Sequence, residues 1–470
     1  MSRASFGSVG VLARDFFNIK PAFDAVGTPI NMPRFLYTAL FYLAMPFMLL
    51  RLLWRSRLQP EYRQHWGERF GFYPQPIPHD APLIWLHAVS VGETRAAAPL
   101  IAGLLAAYPG HRLLLTAMTP TGRAVGRELY GDESRILQAW LPYDTPAAMR
   151  RFFSHFQPCL GVLMETEIWI NLLAVAGARR LPVLLVNARL SRRSARGYAR
   201  IAALVRPALA RLAAVAAQSA ADAKRLTCLG ATQVEICGNL KFDARPTPEL
   251  LAQGEAWRAA LQNGALADAP PRSIWLAAST REGEEALLLD IQIKLQALPL
   301  PPLLVLVPRH PQRFDAVEKL VRERGLRLTR RSQGQPAPED AVWLGDSMGE
   351  MAAYYRLADI AFIGGSLLPF GGQNLIEAAA CGCPALIGSH TFNFAQASAN
   401  AIHSGAARRV ANTTELAAAL QTLFADANAR ATMRAAGQDF AARHQGATER
   451  ILRVIEKVRR GKCEEITNAE

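Results

Sequence analysis

Short, almost continuous apolar runs alternate with Ala-, Leu- and Arg-rich helical stretches along most of this 470-residue chain. The runs of the first series are 82–91, 112–118, 159–166 and 181–188. Helical patterns lie between them, for example at 95–107 and 201–214. A strand that is apolar on both sides has to be buried on both faces. The pattern therefore predicts a parallel sheet that is covered by helices on both sides.

A second series of apolar runs follows after a stretch without such runs. Its apolar runs are 273–280, 301–308, 359–365 and 383–389, and a helical region extends from 413 to 460. The stretch between the two series is rich in Ala, Pro and polar residues, which is typical of a linker. We therefore predict an α/β protein with two doubly wound, Rossmann-like domains at 55–244 and 273–440, a linker at 245–272, and a C-terminal helix and tail at 441–470. Ligands of such sheets bind at the carboxyl ends of the strands, so two facing domains predict a cleft between them.

The segment 33–54 is predicted to be a membrane anchor. Residues 35–50 carry no charge, and the run reaches the roughly 20 residues of a membrane span if Arg51 extends its charge to the surface. An excess of arginines follows the run, which favours a cytoplasmic position for the rest of the chain. These arginines are Arg51, Arg55, Arg57, Arg63 and Arg69. A spanning helix, a monotopic helix and a buried helix of the first domain stay open. Residues 1–32 are interpreted as an extension, with Met1 or Met32 as the start.

The net charge of +14 at pH 7 favours an anionic partner, but it does not choose among nucleic acid, a phosphorylated substrate and a membrane surface. The arginines are dispersed and no aromatic-plus-basic motif occurs, so we predict no nucleic-acid partner. The six cysteines form no C-x-x-C pair, which fits a reducing compartment. We interpret Cys381 and Cys383 as packed free thiols.

Carboxylates follow two strands of the first series. Glu93 lies in HAVSVGETR, and it is either a general base in a cleft or a first-turn residue that complements the helix dipole. Glu165 and Glu167 lie in METEIW, and both would face one side if the strand continued. Like charges so close raise each other's pKa, so this pair is a candidate for function.

Phosphate-binding signals follow strands of the second series. In VPRHPQRF, a buried strand ends at Pro308 and Arg309, which presents a bidentate donor. Lys241, in GNLKFD, lies before the second series, directly ahead of the predicted linker, and it is either a phosphate ligand or a solvated surface residue. In GGQNLIE, amides at a helix start suit a phosphate, and Glu377 is either a ribose ligand or a cap of its own helix. No Walker loop and no D-x-D pair occurs, so a metal-bound nucleotide diphosphate is not indicated.

Ten motifs, in order, resemble those of bacterial 3-deoxy-D-manno-octulosonic acid (Kdo) transferases, which build the inner core of lipopolysaccharide. The motifs are HAVSVGE, MTPTG, LPYD, METEIW, NARLS, GNLKFD, VPRHPQRF, LGDSMGEM, FIGGSLLPFGGQNLIEAAACG and HTFNF. The resemblance extends from Pro33 to about residue 450. It departs from the family pattern at Ile170, where a proline is expected.

The resemblance implies a GT-B fold, inversion at the sugar, CMP-Kdo as donor, a lipid A precursor (lipid IVA) as acceptor, and no metal or other cofactor. It also implies a place on the cytoplasmic side of the inner membrane, with the anionic leaflet as a partner. The proton acceptor of the family matches Glu93, and its transition-state stabilisers match Glu165 and Lys241. The residues that match its CMP site are Pro308, Arg309, Gly349, Glu350, Met351, Asn374, Leu375, Ile376 and Glu377. Two alternatives stay open: another GT-B glycosyltransferase, with a nucleotide-sugar donor and a different membrane acceptor, and a membrane scaffold without catalytic activity.

Overall fold

The computed structural model describes residues 32–57, 59–74, 76–77, 79–263 and 271–467. The predicted extension 1–32 lies outside them, apart from Met32. The chain forms two compact units. Unit 1 comprises the chain up to Leu240 together with the residues from Gly446 onward, and unit 2 comprises Lys241–Gln445.

Unit 1 is built on a parallel sheet of seven strands in the order β3-β2-β1-β4-β5-β6-β7. Its elements are α1 (Met32–Arg55), β1 (Leu83–His87), α2 (Val91–Ala107), β2 (Arg112–Ala117), α3 (Pro120–Tyr130), β3 (Ile136–Trp140), α4 (Pro146–Phe156), β4 (Leu160–Met164), α5 (Ile170–Ala178), β5 (Val183–Ala188), α6 (Arg192–Arg200), α7 (Ala202–Leu209), β6 (Ala214–Ala217), α8 (Ala220–Cys228) and β7 (Val234–Ile236). The strand order reverses between β1 and β4, which are hydrogen-bonded neighbours. In a doubly wound sheet, ligands bind at such a reversal, outside the carboxyl ends of the strands.

Unit 2 repeats the same plan with the order β10-β11-β9-β8-β12-β13-β14. Its elements are α9 (Pro248–Asn263), β8 (Ile274–Thr280), α10 (Glu284–Leu295), β9 (Leu303–Pro308), α11 (Phe314–Glu323), β10 (Leu328–Arg330), β11 (Val342–Leu344), α12 (Met351–Leu357), β12 (Ile360–Ile363), α13 (Ile376–Ala380), β13 (Ala385–Ile387), α14 (Ala395–His403), β14 (Ala407–Arg409), α15 (Thr413–Ala425) and α16 (Ala427–Arg443). Here the order reverses between β8 and β12. The last helix, α17 (Ala447–Thr467), belongs to unit 1.

The eight apolar runs of the sequence are all strands, and the parallel sheets confirm the predicted fold class. Buried tryptophans mark the sheet centres: Trp85 in β1 and Trp275 in β8 have no exposed surface. Trp85 has room because its neighbour in β4 is Gly161, where an added Cβ would lie 2.9 Å from the indole ring. Sequence patterns missed six strands, β3, β6, β7, β10, β11 and β14, which have three to five residues each.

The predicted linker 245–272 is wrong for the part that the structure describes. Residues 248–263 form α9, which packs against α12 of unit 2. Trp257 is buried, with its ring centroid 5.1 Å from that of Trp343, and Arg258 forms an ion pair of 2.9 Å with Asp359. Because this helix is attached to unit 2, the division of the chain comes earlier than predicted, at Leu240 and Lys241.

The C-terminal region also differs from the predicted tail at 441–470. Helix α17 packs on α2 of unit 1, and Ile451, Val454 and Ile455 are buried in its core. The predicted boundary at 440 lies inside α16, and the chain returns to unit 1 at Gly446. An amphipathic helix with Ile and Val three and four residues apart buries such a stripe, but the sequence does not say in which unit.

Helix α1 is the one helix in the described part of the chain that is long and apolar enough to cross a membrane, with a mean hydropathy of 1.7. Only 6% of its apolar window is buried, so the alternative of a buried core helix is wrong. Phe47 and Leu43 are more than 70% exposed, whereas Leu52 near its end is buried. An apolar surface of this size favours a lipid environment.

The first turns of α1 are attached to unit 1 by polar contacts. The Tyr37 hydroxyl donates to Asp144 Oδ2 at 2.9 Å, and Arg34 Nε donates to Asn171 Oδ1 at 2.9 Å. Asp144 is buried, and it also accepts the backbone N–H groups of Asn171 and Leu172 at 3.0 and 2.8 Å, at the start of α5. Helix α1 therefore joins unit 1 at the carboxyl edge of its sheet.

Candidate active site

The reversal point of unit 1 brings together the carboxylates that the sequence singled out. Glu93 lies in the first turn of α2, directly after β1, and Glu165 and Glu167 follow β4. Glu93 Oε2 accepts the Val89 N–H at 2.9 Å, and Oε1 accepts the Ser90 hydroxyl at 3.1 Å. These contacts hold the carboxylate over the start of its own helix, as the helix-dipole interpretation predicts.

Burial gives Glu93 the properties of a base as well. Desolvation raises the pKa of its carboxyl to about 7, against the lowering effect of the Val89 N–H, and the charges of Glu165 and Glu167 raise it further. A carboxylate that ionises near the working pH is a far better proton acceptor than an ordinary glutamate. Helix capping and base chemistry are therefore compatible at this residue.

Glu165 and Glu167 do not lie on a continued strand, contrary to one condition of the sequence argument. β4 ends at Met164, and Glu165 has a left-handed backbone, with φ of 59°. Glu167 Oε2 instead accepts the Trp169 indole N–H at 2.5 Å, and burial raises the pKa of its carboxyl, as does the Glu165 charge. The turn nevertheless keeps the three carboxylates electrostatically coupled.

Two buried polar residues beside these carboxylates were missed by sequence reasoning. His87, the last residue of β1, is fully buried and contacts Thr116 through Nδ1, while its Nε2 has no partner in the described structure. Burial lowers its pKa to about 3, so the ring is neutral. Asn187 has φ of 51° and accepts the Leu240 N–H at 3.1 Å. The available signal was that each is a polar residue at the end of an apolar strand.

In unit 2, a buried carboxylate that the sequence did not single out organises the glycine loop. Glu284, at the start of α10, has no exposed surface. Its oxygens accept the backbone N–H groups of Gly365, Leu367 and Arg281 at 2.6 to 3.0 Å. Gly364 has no room for a side chain, since an added Cβ would lie 2.6 Å from the Ser279 carbonyl oxygen. The loop after β12 is thereby fixed against β8.

The residues predicted to bind CMP all lie at the carboxyl edge of the unit 2 sheet. Pro308 ends β9, and the Arg309 N–H bonds to the Thr280 carbonyl at 3.0 Å. Gly349 has φ of 86°, and Met351 begins α12 after β11, with Glu350 as the N-cap residue directly before it. Glu350 accepts Arg331 Nη2 at 3.0 Å and Gln253 Nε2 at 3.1 Å, so its carboxylate is held by unit 2 itself.

The segment Asn374 to Glu377 forms the start of the short helix α13. Asn374 Oδ1 accepts the Ile376 N–H at 3.2 Å, so this side chain satisfies one of the free N–H groups at the start of the helix. Leu375 and Ile376 are buried and fix the segment, while Glu377 is half-buried. Lys241 belongs to unit 2, not to the N-terminal domain predicted for it, and its Nζ lies 5.1 Å from the centre of the Phe394 ring.

Comparison with known proteins identifies the chemistry. A family model described as 3-Deoxy-D-manno-octulosonic-acid transferase (kdotransferase) matches residues 64–244. The chain is 45% identical over 391 residues to the 3-deoxy-D-manno-octulosonic acid transferase of Bordetella pertussis, which covers 81% of this chain and 88% of that protein. It is 36% identical over 428 residues to the enzyme of the same name from Haemophilus influenzae, which covers 90% and 98%. The chain belongs to the 3-deoxy-D-manno-octulosonic acid transferase family. It is thus a glycosyltransferase of lipopolysaccharide biosynthesis, and the resemblance drawn from its motifs is confirmed.

Solved structures establish the fold class of this transferase. A glycosyltransferase from Rickettsia africae superposes with a TM-score of 0.54 at 13% identity, over 81% of this chain and 99% of that one. A UDP-GlcNAc 2-epimerase from Neisseria meningitidis superposes with a TM-score of 0.55 at 14% identity, over 80% and 100%. At such low identity the likeness concerns the fold alone, and it confirms the predicted GT-B class.

Proposed function

We propose that this transferase moves Kdo from CMP-Kdo to a lipid A precursor, lipid IVA, with inversion at the anomeric carbon and without a metal ion. The observation that supports the proposal most directly is the carboxylate of Glu93, whose pKa is raised to about 7 at the reversal point of unit 1. An acceptor hydroxyl needs a proton acceptor of this kind as it attacks.

In the proposed reaction, the acceptor oxygen forms a bond to the anomeric carbon while the bond from that carbon to the CMP phosphate oxygen breaks. The hydroxyl proton passes to Glu93, and CMP leaves with the bonding electron pair. A single displacement of this kind inverts the configuration. Glu165 and Lys241 act as transition-state stabilisers: the carboxylate offsets the positive charge that grows on the sugar, and the ammonium offsets the negative charge of the leaving phosphate.

Unit 2 is proposed to bind the donor. Arg309 contacts the phosphate, with Pro308 beside it, and Gly349, Glu350 and Met351 form one wall of the CMP site. Asn374 to Glu377 form the other, with Glu377 accepting hydrogen bonds from the ribose diol. Because Arg309 and Lys241 supply positive charge and CMP carries one phosphate, the mechanism needs no metal ion.

The proposed location is the cytoplasmic side of the inner membrane, with α1 as the anchor and the anionic leaflet as partner. Of the arginines that follow the apolar run 35–50, Arg69 does not contribute, because it is buried with its guanidinium 4.3 Å from the centre of the Trp140 ring. Arg51, Arg55, Arg57 and Arg63 are exposed. These four are the ones expected to meet anionic headgroups.

The test is CMP release from CMP-Kdo by the full chain, with and without lipid IVA, for wild type, Glu93→Ala and Glu128→Ala. Glu128 is a matched control, because it is an exposed carboxylate in unit 1. We expect lipid-dependent release that persists in EDTA, drops by roughly 10²–10⁴-fold in Glu93→Ala, and is unchanged in the control. Release without lipid IVA, or release that EDTA abolishes, would overturn the acceptor or the metal-free assignment. Full activity of Glu93→Ala would remove Glu93 as the base.

A further inference from the structure

Helix α6 carries an unusual concentration of positive charge. Four of its nine residues are arginines, and it contains no acidic residue. Arg192, Arg193, Arg196 and Arg200 are all exposed, and within the described part of the chain none of their guanidinium groups has a hydrogen bond or an ion pair. Elsewhere many arginines of this protein are paired with carboxylates, as Arg313 is with Glu285 at 3.1 Å.

The helical spacing places most of this charge on one side. Arg192, Arg196 and Arg200 are separated by four residues each, so they form a stripe on one face, and Arg193 lies beside it. Like charges four residues apart destabilise a helix by roughly 0.2–0.5 kcal/mol per pair. Four unpaired arginines therefore add nothing to the fold, which favours a role in binding an anion.

Helix α6 is attached to the turn that carries the catalytic carboxylates. The Thr166 hydroxyl, between Glu165 and Glu167, donates to the Arg189 carbonyl at 2.7 Å, just before α6. Tyr198 of α6 is partly buried, and its pKa is raised by burial and by the charge of Glu167. The arginine face is therefore held at a fixed position near the acceptor end of the reaction.

The same helix is linked to the membrane anchor. Helix α7, which directly follows α6, contacts both α6 and α1. The exposed apolar helix α1 and the exposed cationic helix α6 thus both contact α7. This combination suits an amphiphile that has acyl chains at one end and anionic groups at the other.

We propose that Arg192, Arg193, Arg196 and Arg200 bind the phosphate groups of the glycolipid acceptor and so position its sugar hydroxyl for Glu93. Guanidinium groups bind phosphate through paired charge-assisted hydrogen bonds, which gives both affinity and orientation. The attachment of α6 to the catalytic turn favours the acceptor itself over the bulk lipid of the leaflet. This inference rests on the proposed function.

The test compares two triple variants of equal charge change. Arg192→Gln/Arg196→Gln/Arg200→Gln removes the stripe of α6. Arg127→Gln/Arg180→Gln/Arg453→Gln removes three arginines of unit 1 that are also exposed and without a partner in the described structure. For each, kcat and KM are measured with CMP-Kdo and with bisphosphorylated and monophosphorylated acceptor in neutral detergent micelles. Sedimentation with acceptor-free vesicles that contain anionic lipid is measured in parallel.

We expect the α6 variant to raise KM for the bisphosphorylated acceptor by roughly 10–100-fold, and to raise KM for the monophosphorylated acceptor less. The KM for CMP-Kdo, vesicle binding and the control variant should stay unchanged. The assignment would be overturned if the α6 variant raised KM equally for both acceptors, or if the control variant had an equal effect. It would also be overturned if the α6 variant lost vesicle binding with an unchanged acceptor KM, and the arginines would then bind the bulk lipid of the leaflet. If wild type itself releases no CMP with the acceptor, the proposed function fails instead.

Discussion

The raised pKa of Glu93 predicts a specific pH dependence for the transfer reaction. Only the ionised carboxylate accepts a proton, so activity should rise with pH through the pKa of this group. With a pKa of about 7, roughly one-tenth of the enzyme is ionised at pH 6, and kcat/KM there should be about tenfold below its plateau. An ordinary glutamate, with a pKa near 4.5, would leave the rate at pH 6 within a few per cent of the plateau.

The same shift predicts an opposite effect on stability. Between pH 4.5 and about 7 the folded protein binds a proton at Glu93 that the unfolded chain has lost, so the free energy of unfolding falls as pH rises through this window. Raising the pKa of this carboxyl from 4.5 to about 7 corresponds to roughly 3 kcal/mol. Glu93→Gln, which carries no charge at any pH, should therefore be inactive yet more stable than wild type at pH 8.5, and the gain should shrink at pH 5.

The assay is kcat/KM for CMP release from pH 5 to pH 9, together with thermal unfolding of wild type and Glu93→Gln at pH 5 and 8.5. Glu167→Gln supplies a finer test. Removing that charge should move the acidic limb of the pH–rate profile slightly to lower pH, while desolvation, the larger cause of the raised Glu93 pKa, remains. Glu128→Gln, an exposed carboxylate, should leave the limb in place. A flat profile down to pH 6, or a stability difference that is the same at both pH values, would refute the reasoning.

Three further substitutions test contacts that hold loops and helices in place around the two sheets. Glu284→Ala leaves buried backbone N–H groups without an acceptor and should destabilise unit 2 by about 3 kcal/mol or more, which denaturant unfolding would detect. Gly364→Ala places a Cβ 2.6 Å from a backbone oxygen, and it should weaken donor binding at least tenfold in a CMP titration, whereas Gly461→Ala, which meets nothing within 4 Å, should not. Tyr37→Phe removes the hydroxyl that donates to Asp144 and should cost about 1 kcal/mol of thermal stability, with the far-ultraviolet circular dichroism unchanged.

The fold was largely predictable, and so was the position of the candidate site within each unit, because the strand order determines which residues lie together at one edge of a sheet. Once two strand–helix series are recognised, the residues that follow each strand have to lie at one edge of a sheet. Glu93 and Glu165 are close enough for the charge of Glu165 to raise the pKa of Glu93 because β1 and β4 are neighbours at the reversal point, although 72 positions separate the two residues in the chain. Short strands such as β10 and β14 were not predictable, since three residues are too few to show a period.

What sequence reasoning missed depends on tertiary packing. The role of Glu284 was invisible, because its partners Gly365 and Leu367 lie more than 80 positions away. The stretch 245–272 looked like a linker from its composition, yet Trp257 packs between side chains of unit 2 and makes its helix part of that unit. In both cases the decisive contact is long-range, and local composition carries no record of it.

The net charge, like local composition, does not show which residues are buried and which are free to bind a ligand, and this bears on function. The net charge of +14 counts every arginine alike, but Arg69 is buried against Trp140 while Arg192 and Arg196 are exposed and without a partner in the described structure. A buried guanidinium contributes to packing and is screened from ligands, whereas an exposed, unpaired one attracts phosphate over a distance of about 10 Å. The anionic partner inferred from composition is therefore expected at particular helices, above all at α6, rather than over the whole surface.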